Sequence, residues 1–395
     1  MASRLASISS PLPVTIIKAK NIFMWDNHHK LYVDLLAGYS AVNQGHCHPR
    51  IISALTKQAN NITLTSRVVE SDTLFKWANY ITNKFKYDKV LAMNSGAEAV
   101  EAALKLARKY GHAQNRSHIV CLHGNFHGRT LGAISLSDYQ PYRAGFGPFI
   151  DNILHVEMNN VAHLQQVFEK YGSTISAVLY EPVQGEGGVV PMTTEFIEAL
   201  RILKGEHPNV LFIADEIQSG MGRTGQLTTS ADHFHFKPDV LILGKALSGG
   251  VLPMSCILAN KDIMNVFTPG THGSTFGGNP LACAVSMEAI DVLEKECIPN
   301  VTVLTPLMKK LLHQLPRTHI TDIRGIGMFW GIQFHKDYDM EALRLRMLDA
   351  GYITCASRNN TLRITPPLTI SYVELEMAIE QLEKAIPPVK QPITL

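Results

Sequence analysis

The chain has no apolar run approaching the roughly 18–20 residues that cross a bilayer as a helix, which excludes a helical membrane protein. Charge is sparse and balanced: Asp, Glu, Lys and Arg make up 18% of 395 residues and leave a net +2. That balance provides no bulk attraction to nucleic acid or to an anionic membrane surface. Cysteine is scarce, with six in all. Cys47, Cys121, Cys256, Cys283, Cys297 and Cys355 contain no C-x-x-C pair, so they read as reduced thiols rather than a disulfide framework. The opening "MASRLASISSPLP" lacks the apolar segment of a secretory signal and is too weakly basic for an organellar leader. A cytoplasmic location is the expectation. Internal repeats are absent, as is a G-x-S-x-G nucleophile turn. His46-Cys47-His48 and His233-x-His235 imitate metal ligands but lack a fourth partner at useful spacing, so no metal is expected.

What is present is a hydrophobic content of 46% arranged as short runs. "KVLAM" (89–93), "HIVCL" (118–122), "AVLYE" (177–181), "VLFIA" (210–214) and "VLILG" (240–244) are strand candidates. Amphipathic segments such as 97–110 and 195–204 lie between several of them. Strands alternating with helices imply a mostly parallel sheet covered on both faces. After about residue 281 the texture changes to a helical run, shorter strands ("MFWGIQF", "LRITPP") and a last helix. That helix begins at a Ser371-x-x-Glu374 capping box and stops at Pro387-Pro388. The reading is an N-terminal segment (1–45), a large domain (46–280) and a smaller α+β domain (281–395).

Open sheets of this type bind ligands beyond the carboxyl ends of their strands. After "KVLAM" comes Asn94-Ser95-Gly96-Ala97, a turn opening a helix whose amides and dipole can hold a phosphate. The plainer reading of Ser95-x-x-Glu98 is a capping box. After "HIVCL" come Phe126, able to stack on a flat ring, and Arg129, able to take a carboxylate in bidentate fashion. Glu181 and Glu186 follow the third candidate in a Gly-rich loop. Asp215 follows the fourth and needs a cationic or donor partner to stay ionised. The adjacent match to G-x-G-x-x-G at 220–225 is discounted, because no helix follows it. After the fifth comes Lys245, an ammonium that must be solvated, paired or chemically used. A phosphate-holding turn, an aromatic face, an acid, a lysine and arginines on one sheet edge suit pyridoxal phosphate.

The segments "GYSAVNQGHCHP", "MNSGAEAVEAALKLAR", "FHGRTLGA", "EPVQGEGG", "ADEIQSGMGRTG", "LGKALSGG", "HGSTFGGNPLAC" and "LRITPPL", in that order, resemble the class III pyridoxal-phosphate-dependent aminotransferases. The resemblance covers nearly the whole chain. Within it, "YSAVNQGHCHP" and "TLTSR" look most like the ornithine-using branch. It implies the α/β fold of PLP-dependent transferases (fold type I): a large domain with a mostly parallel seven-stranded sheet, plus a smaller α+β domain. The implied cofactor is pyridoxal 5'-phosphate, and the implied assembly is a homodimer with shared active sites.

Carried over residue by residue, the resemblance makes Lys245 the covalent lysine and proton shuttle. It pairs Asp215 with the pyridinium nitrogen and Gln218 with the ring hydroxyl, and stacks Phe126 on the ring. Ser95, Gly96 and Ala97 would hold the phosphate, helped by Ser274 and Thr275 from a second subunit. Tyr39 would line the substrate pocket and Arg129 would take the far carboxylate. Arg363 would take the α-carboxylate of the oxo acid, with Glu186 neutralising it when the ω-amine is bound. The implied reaction moves the δ-amino group of L-ornithine to 2-oxoglutarate. Alternatives are another ω-amino donor (N-acetylornithine, 4-aminobutyrate or lysine), or a catalytically inactive relative acting as a binding protein. One departure concerns the donor. The ornithine-using branch usually carries a tyrosine just before "PLPV", where this chain has Ser9 and Ser10.

Overall fold

The computed structural model describes residues 4–387. An antiparallel meander of β1 (Ile16–Lys20), β2 (Phe23–Asp26) and β3 (Leu31–Asp34) opens the chain. Two amphipathic helices follow, Pro49–Ala59 and Asp72–Phe85. The central part supplies β4 (Lys89–Met93), β5 (His118–Leu122), β6 (Ile153–Val156), β7 (Ile175–Tyr180), the short pair β8 (Val183–Gln184) and β9 (Val190–Pro191), then β10 (Leu211–Asp215), β11 (Val240–Leu243) and β12 (Ser255–Ala259). The last third carries β13 (Ile320–Ile326), β14 (Phe329–Phe334), β15 (Tyr352–Ile353), β16 (Cys355–Ser357) and β17 (Thr361–Ile364).

The large sheet has seven strands in the order β4-β12-β11-β10-β7-β5-β6. The pairs β11/β10, β10/β7, β7/β5 and β5/β6 are parallel, while β12 runs antiparallel to both of its neighbours. Its strands read as unbroken apolar runs because both faces are covered. Alternate residues divide between two packed layers. Ile119, Cys121, Leu179, Ile213 and Ile242 pack under the helix Gly96–His112, through its Ala99, Val100, Ala103 and Leu104. Val120, Leu122, Val178, Phe212 and Leu243 face the other way, toward Phe196 and Leu200 of the helix Thr194–Glu206. Each such side chain removed from water contributes about 1.5–3 kcal/mol.

Composition gives only five of the seven strands. The edge strand β6 is four residues long and half-buried, and β12 is built from small residues, "SCILA", behind a glycine turn. His155 interrupts the apolar run of β6, and β12 opens on Ser255 and closes on Ala259. Asp215 is itself the last residue of β10 rather than the residue after it.

A second sheet, β13-β14-β17-β16, is antiparallel throughout. Buried residues of the helices Ile298–Gln314, Met340–Asp349 and Tyr372–Ala385 pack in one core with Ile323, Ile332 and Ile364 of this sheet. The last helix carries the Ser371/Glu374 capping box and ends at Ala385, ahead of Pro387; Pro388 lies outside the described residues. β15 pairs with β3 and so ties the C-terminal part to the opening meander. Arg223 clamps the two sheets' surroundings together. It is fully buried, and it donates to the carbonyls of Met328 (3.1 Å) and Pro366 (2.6 Å) and to Asn43 Oδ1. That clamp is what the G-x-G-x-x-G match contains. Among the described residues, no helix is long and apolar enough to cross a membrane.

Candidate active site

The carboxyl ends of β4, β5, β7, β10 and β11 surround a cavity of about 210 Å³. Gly96, Ala97, Phe126, Asp215, Gln218 and Lys245 all line it, together with His127, Gly128, Glu181 and Ile217. A larger groove of about 1030 Å³, between the helices Val161–Tyr171 and Thr194–Glu206, gathers none of these side chains.

The turn after β4 is a reciprocal capping box. Ser95 Oγ accepts the Glu98 N–H (3.2 Å), and Glu98 Oε2 accepts the N–H groups of Ser95 (2.7 Å) and Asn94 (2.9 Å). The capping-box reading of this motif is what the geometry shows. The box occupies the Ser95 amide, and the amides of Gly96 and Ala97 are first-turn donors with no carbonyl in their own helix. Both residues line the cavity. Ser255, at the start of β12, donates its hydroxyl to the Ser95 carbonyl at 2.7 Å and so fixes the turn from the neighbouring strand. Gly128 has φ +124°, and a Cβ there would stand 2.8 Å from the Ala97 Cβ. Only glycine lets the loop after β5 approach the turn after β4 this closely.

Asp215 is nearly sealed from solvent. Its Oδ2 lies 2.7 Å from His127 Nδ1, and its Oδ1 accepts the Ile217 N–H at 3.1 Å. The far nitrogen of His127, Nε2, is buried without a partner among the described residues. Glu181 Oε1 accepts the Phe126 N–H (2.9 Å) and Oε2 the Gly185 N–H (3.2 Å), so this carboxyl positions the aromatic wall. Burial pushes its pKa up to about 7. Phe126 and Ile217 give the cavity its flat apolar surfaces.

Lys245 opens a 3-10 turn after β11 with φ +45°, a left-handed conformation that a lysine adopts only under constraint. It keeps part of its surface toward the cavity. Burial pushes its pKa down to about 8, against the opposing pull of the Asp215 charge. At pH 7 roughly a tenth of the amine is then neutral, against well under a thousandth for an ordinary lysine, and the neutral form is the nucleophile.

A second cluster adjoins the first through Gln218, whose Nε2 donates to the Tyr39 carbonyl at 3.4 Å. Arg363 Nη1 pairs with Glu186 Oε1 at 2.6 Å, and Nη2 donates to Cys355 Sγ at 3.4 Å. The guanidinium also lies 5.2 Å from the centre of the Tyr39 ring. Burial disfavours the charge on Arg363, but Glu186 and Cys355 more than offset it and hold the pKa above its ordinary value.

Arg129 is exposed and sits 3.8 Å over the ring of Tyr142. Ser274 and Thr275 do not line the cavity. Ser274 Oγ accepts from Asn94 Nδ2 (2.9 Å), and Thr275 is exposed. Ser9 and Ser10 are exposed as well. His46 pairs with Asp34 (2.8 Å) and His48 with Glu296 (3.2 Å), while His235 is exposed. Reading from motifs passes over His127, Ile217, Tyr142, Cys355 and Arg358. His127 and Ile217 stand inside quoted motifs, next to Phe126 and Gln218, so position was the available signal.

The family model described as "Aminotransferase class-III" matches residues 5–386. The chain belongs to that family. Among curated relatives of this class-III aminotransferase, ornithine aminotransferase 1 of Staphylococcus saprophyticus is 43% identical over 386 residues, covering 95% of each chain. The ornithine aminotransferase of Staphylococcus epidermidis is 44% identical over 381 residues, 94% of each. Among solved structures, ornithine aminotransferase from Toxoplasma gondii superposes with a TM-score of 0.92 at 36% identity, over 97% of this chain and 92% of that one. Acetylornithine aminotransferase from Elizabethkingia anophelis gives 0.85 at 39%, over 97% and 96%. A further Toxoplasma gondii structure is described with PLP at the protein active site.

The class-III aminotransferase cavity fits this cofactor. It offers two amides free for a phosphate, a sealed carboxylate for a cationic ring nitrogen, apolar walls for a planar ring and a lysine with a depressed pKa.

Proposed function

We propose that the enzyme transfers the δ-amino group of L-ornithine to 2-oxoglutarate, giving glutamate 5-semialdehyde and L-glutamate. The observation that carries this reading is the Glu186–Arg363 pair at 2.6 Å beside a cavity holding Lys245. Two substrates share one site. A bare arginine would seize the α-carboxylate of the amine donor and present its α-amine. With Glu186 on Arg363, the donor turns its terminal amine inward. With Glu186 displaced, the same arginine receives the α-carboxylate of the oxo acid.

When bound, the cofactor supplies an electron sink for charge developing on the substrate carbon that bears the amine. Around it, Asp215 would pair with the ring nitrogen, Gln218 would bond the ring hydroxyl, and Phe126 and Ile217 would enclose the ring. Gly96 and Ala97 would donate to the phosphate, with the Ser95 hydroxyl beside them. Lys245 would hold the cofactor covalently at rest, and its Nζ would take and hold the proton from the substrate carbon that bears the amine. Arg129 receives the far carboxylate, and Tyr39 walls the substrate pocket.

We further propose a homodimer in which Ser274 and Thr275 of a second copy complete the phosphate site. The exposure of Thr275 and Phe276 on this chain supports it. All six cysteines are free thiols, which suits a reducing compartment and supports a cytoplasmic location.

A second reading, N-acetylornithine as donor, is favoured by the 39%-identical Elizabethkingia structure and by Ser9 and Ser10. An amine panel with 2-oxoglutarate separates the two. Ornithine is expected to give the highest kcat/KM. A tenfold advantage for N-acetylornithine, 4-aminobutyrate or lysine, about 1.4 kcal/mol of transition-state preference, overturns the ornithine assignment.

A further inference from the structure

We propose that Arg358 is a second guanidinium of the subsite for the distal carboxylate, and that with Arg129 it selects a dicarboxylic oxo acid over a monocarboxylic one. The inference rests on the transamination reading above. Arg358 lies just after β16, and its backbone N–H donates to the Glu186 carbonyl at 3.2 Å. It is therefore anchored on the loop that carries the partner of Arg363. Its side chain reaches the opposite wall. Nη2 donates to the Asn125 carbonyl at 3.2 Å, one residue before Phe126, and the guanidinium lies 4.0 Å from the centre of Tyr139 and 4.8 Å from that of Tyr142.

Tyr142 is the shared element. Arg129 stands 3.8 Å over the same ring and 5.4 Å from that of Phe126, and Tyr142 meets Phe126 edge-on at 5.7 Å. Two cations gathered at one aromatic ring repel each other. The ring's negative face offsets part of this, but each contact contributes only about 0.5–2 kcal/mol. Among the described residues neither arginine has an acidic partner, and Arg358 Nε is buried with no partner at all. Arg363, by contrast, is neutralised by Glu186. The unbalanced charge thus sits beside Phe126, at the wall of the cavity, and a carboxylate with its four lone-pair sites satisfies two guanidiniums at once. The Asn125 anchor is rigid, since its own Nδ2 donates to the Leu122 (2.8 Å) and Leu136 (2.7 Å) carbonyls. Arg358 is held at a fixed place rather than left to wander.

The competing role is a plain tether between the β16 hairpin and the Phe126 loop, and it makes a different prediction. A tether supports all substrates alike, whereas a carboxylate ligand matters only to substrates carrying the second carboxylate. The test titrates glutarate and butyrate calorimetrically into wild-type holoenzyme, Arg358→Gln, Arg358→Lys and Tyr142→Leu. In parallel, KM and kcat are measured for 2-oxoglutarate and pyruvate. The expected result is a tenfold or greater weakening of glutarate binding in Arg358→Gln with butyrate unchanged, and partial recovery in Arg358→Lys. The KM for 2-oxoglutarate rises to match at near-constant kcat, and Tyr142→Leu shows a smaller loss of the same kind. Equal losses for both acids, or no loss for either, overturn the proposal. Failure of the ornithine reading shows separately, in the wild-type amine panel.

Discussion

Replacing Lys245 by Met should make the cofactor-free enzyme more stable at neutral pH while abolishing its activity. Holding the amine near 8 rather than 10.5 costs the folded apoenzyme about 3 kcal/mol. Because Lys245 keeps some surface toward the cavity, that figure is an upper bound. Below pH 8 the lysine is protonated in both states, and the folded state bears the whole cost. Between about 8 and 10.5 the unfolded chain binds the extra proton, so wild-type stability rises with pH and the cost fades to under about 1 kcal/mol by pH 10. Methionine has similar length, meets the same left-handed backbone and carries no charge, and Asp215 retains His127 as its partner. Urea unfolding of both apoproteins at pH 7 and pH 10 measures the difference. The variant should lead by up to about 3 kcal/mol at pH 7, and the gap should narrow by most of that amount at pH 10. A variant less stable than wild type at pH 7, or a gap that ignores pH, would refute the argument that desolvation primes this amine.

Glu186→Gln removes the charge that neutralises Arg363. Single-turnover rates should shift at least tenfold from ornithine toward glutamate as amine donor, and an unchanged ratio would remove the two-substrate rationale. Glu181 has a folded-state pKa lifted from 4.5 to about 7, so its contribution to stability is present below about 4.5 and is lost as pH rises toward 7. Glu181→Gln lacks that dependence. Its stability relative to wild type should climb across this window and then level off, as urea unfolding at pH 4.5, 6 and 8 would register, whereas a constant difference would show that the carboxyl titrates normally.

Much of the site is legible in the sequence because strand ends are legible. Lys245, Asp215 and Phe126 each follow or finish an apolar run, and the parallel sheet carries all three to one edge. Gln218 and the Glu186–Arg363 relation become visible only through resemblance, since a loop glutamate and a strand arginine have no periodicity that joins them. Tyr142 and Arg358 escape both routes. They lie far apart in sequence on short, irregular segments, and their meaning comes from one guanidinium lying over one ring. Strand β12 escapes for a different reason: its run "SCILA" is short and begins and ends on small residues, so it reads weakly as a strand.

The reversed strand also sets an order of assembly. Among the described residues β4 stands at the edge of the sheet, with β12 as its one neighbour there. The turn at Ser95 is steadied by Ser255, 160 positions later. As the chain leaves the ribosome from its N-terminus, β4 and the turn that follows it have no strand to pair with until residue 259 has been made. They must wait, unpaired, while the 166 residues from 94 to 259 are synthesised behind them. The anion cradle is thus among the first parts of the pocket to be translated and among the last to be built, and a ribosome stalled before β12 would hold a nascent chain with no place for the phosphate.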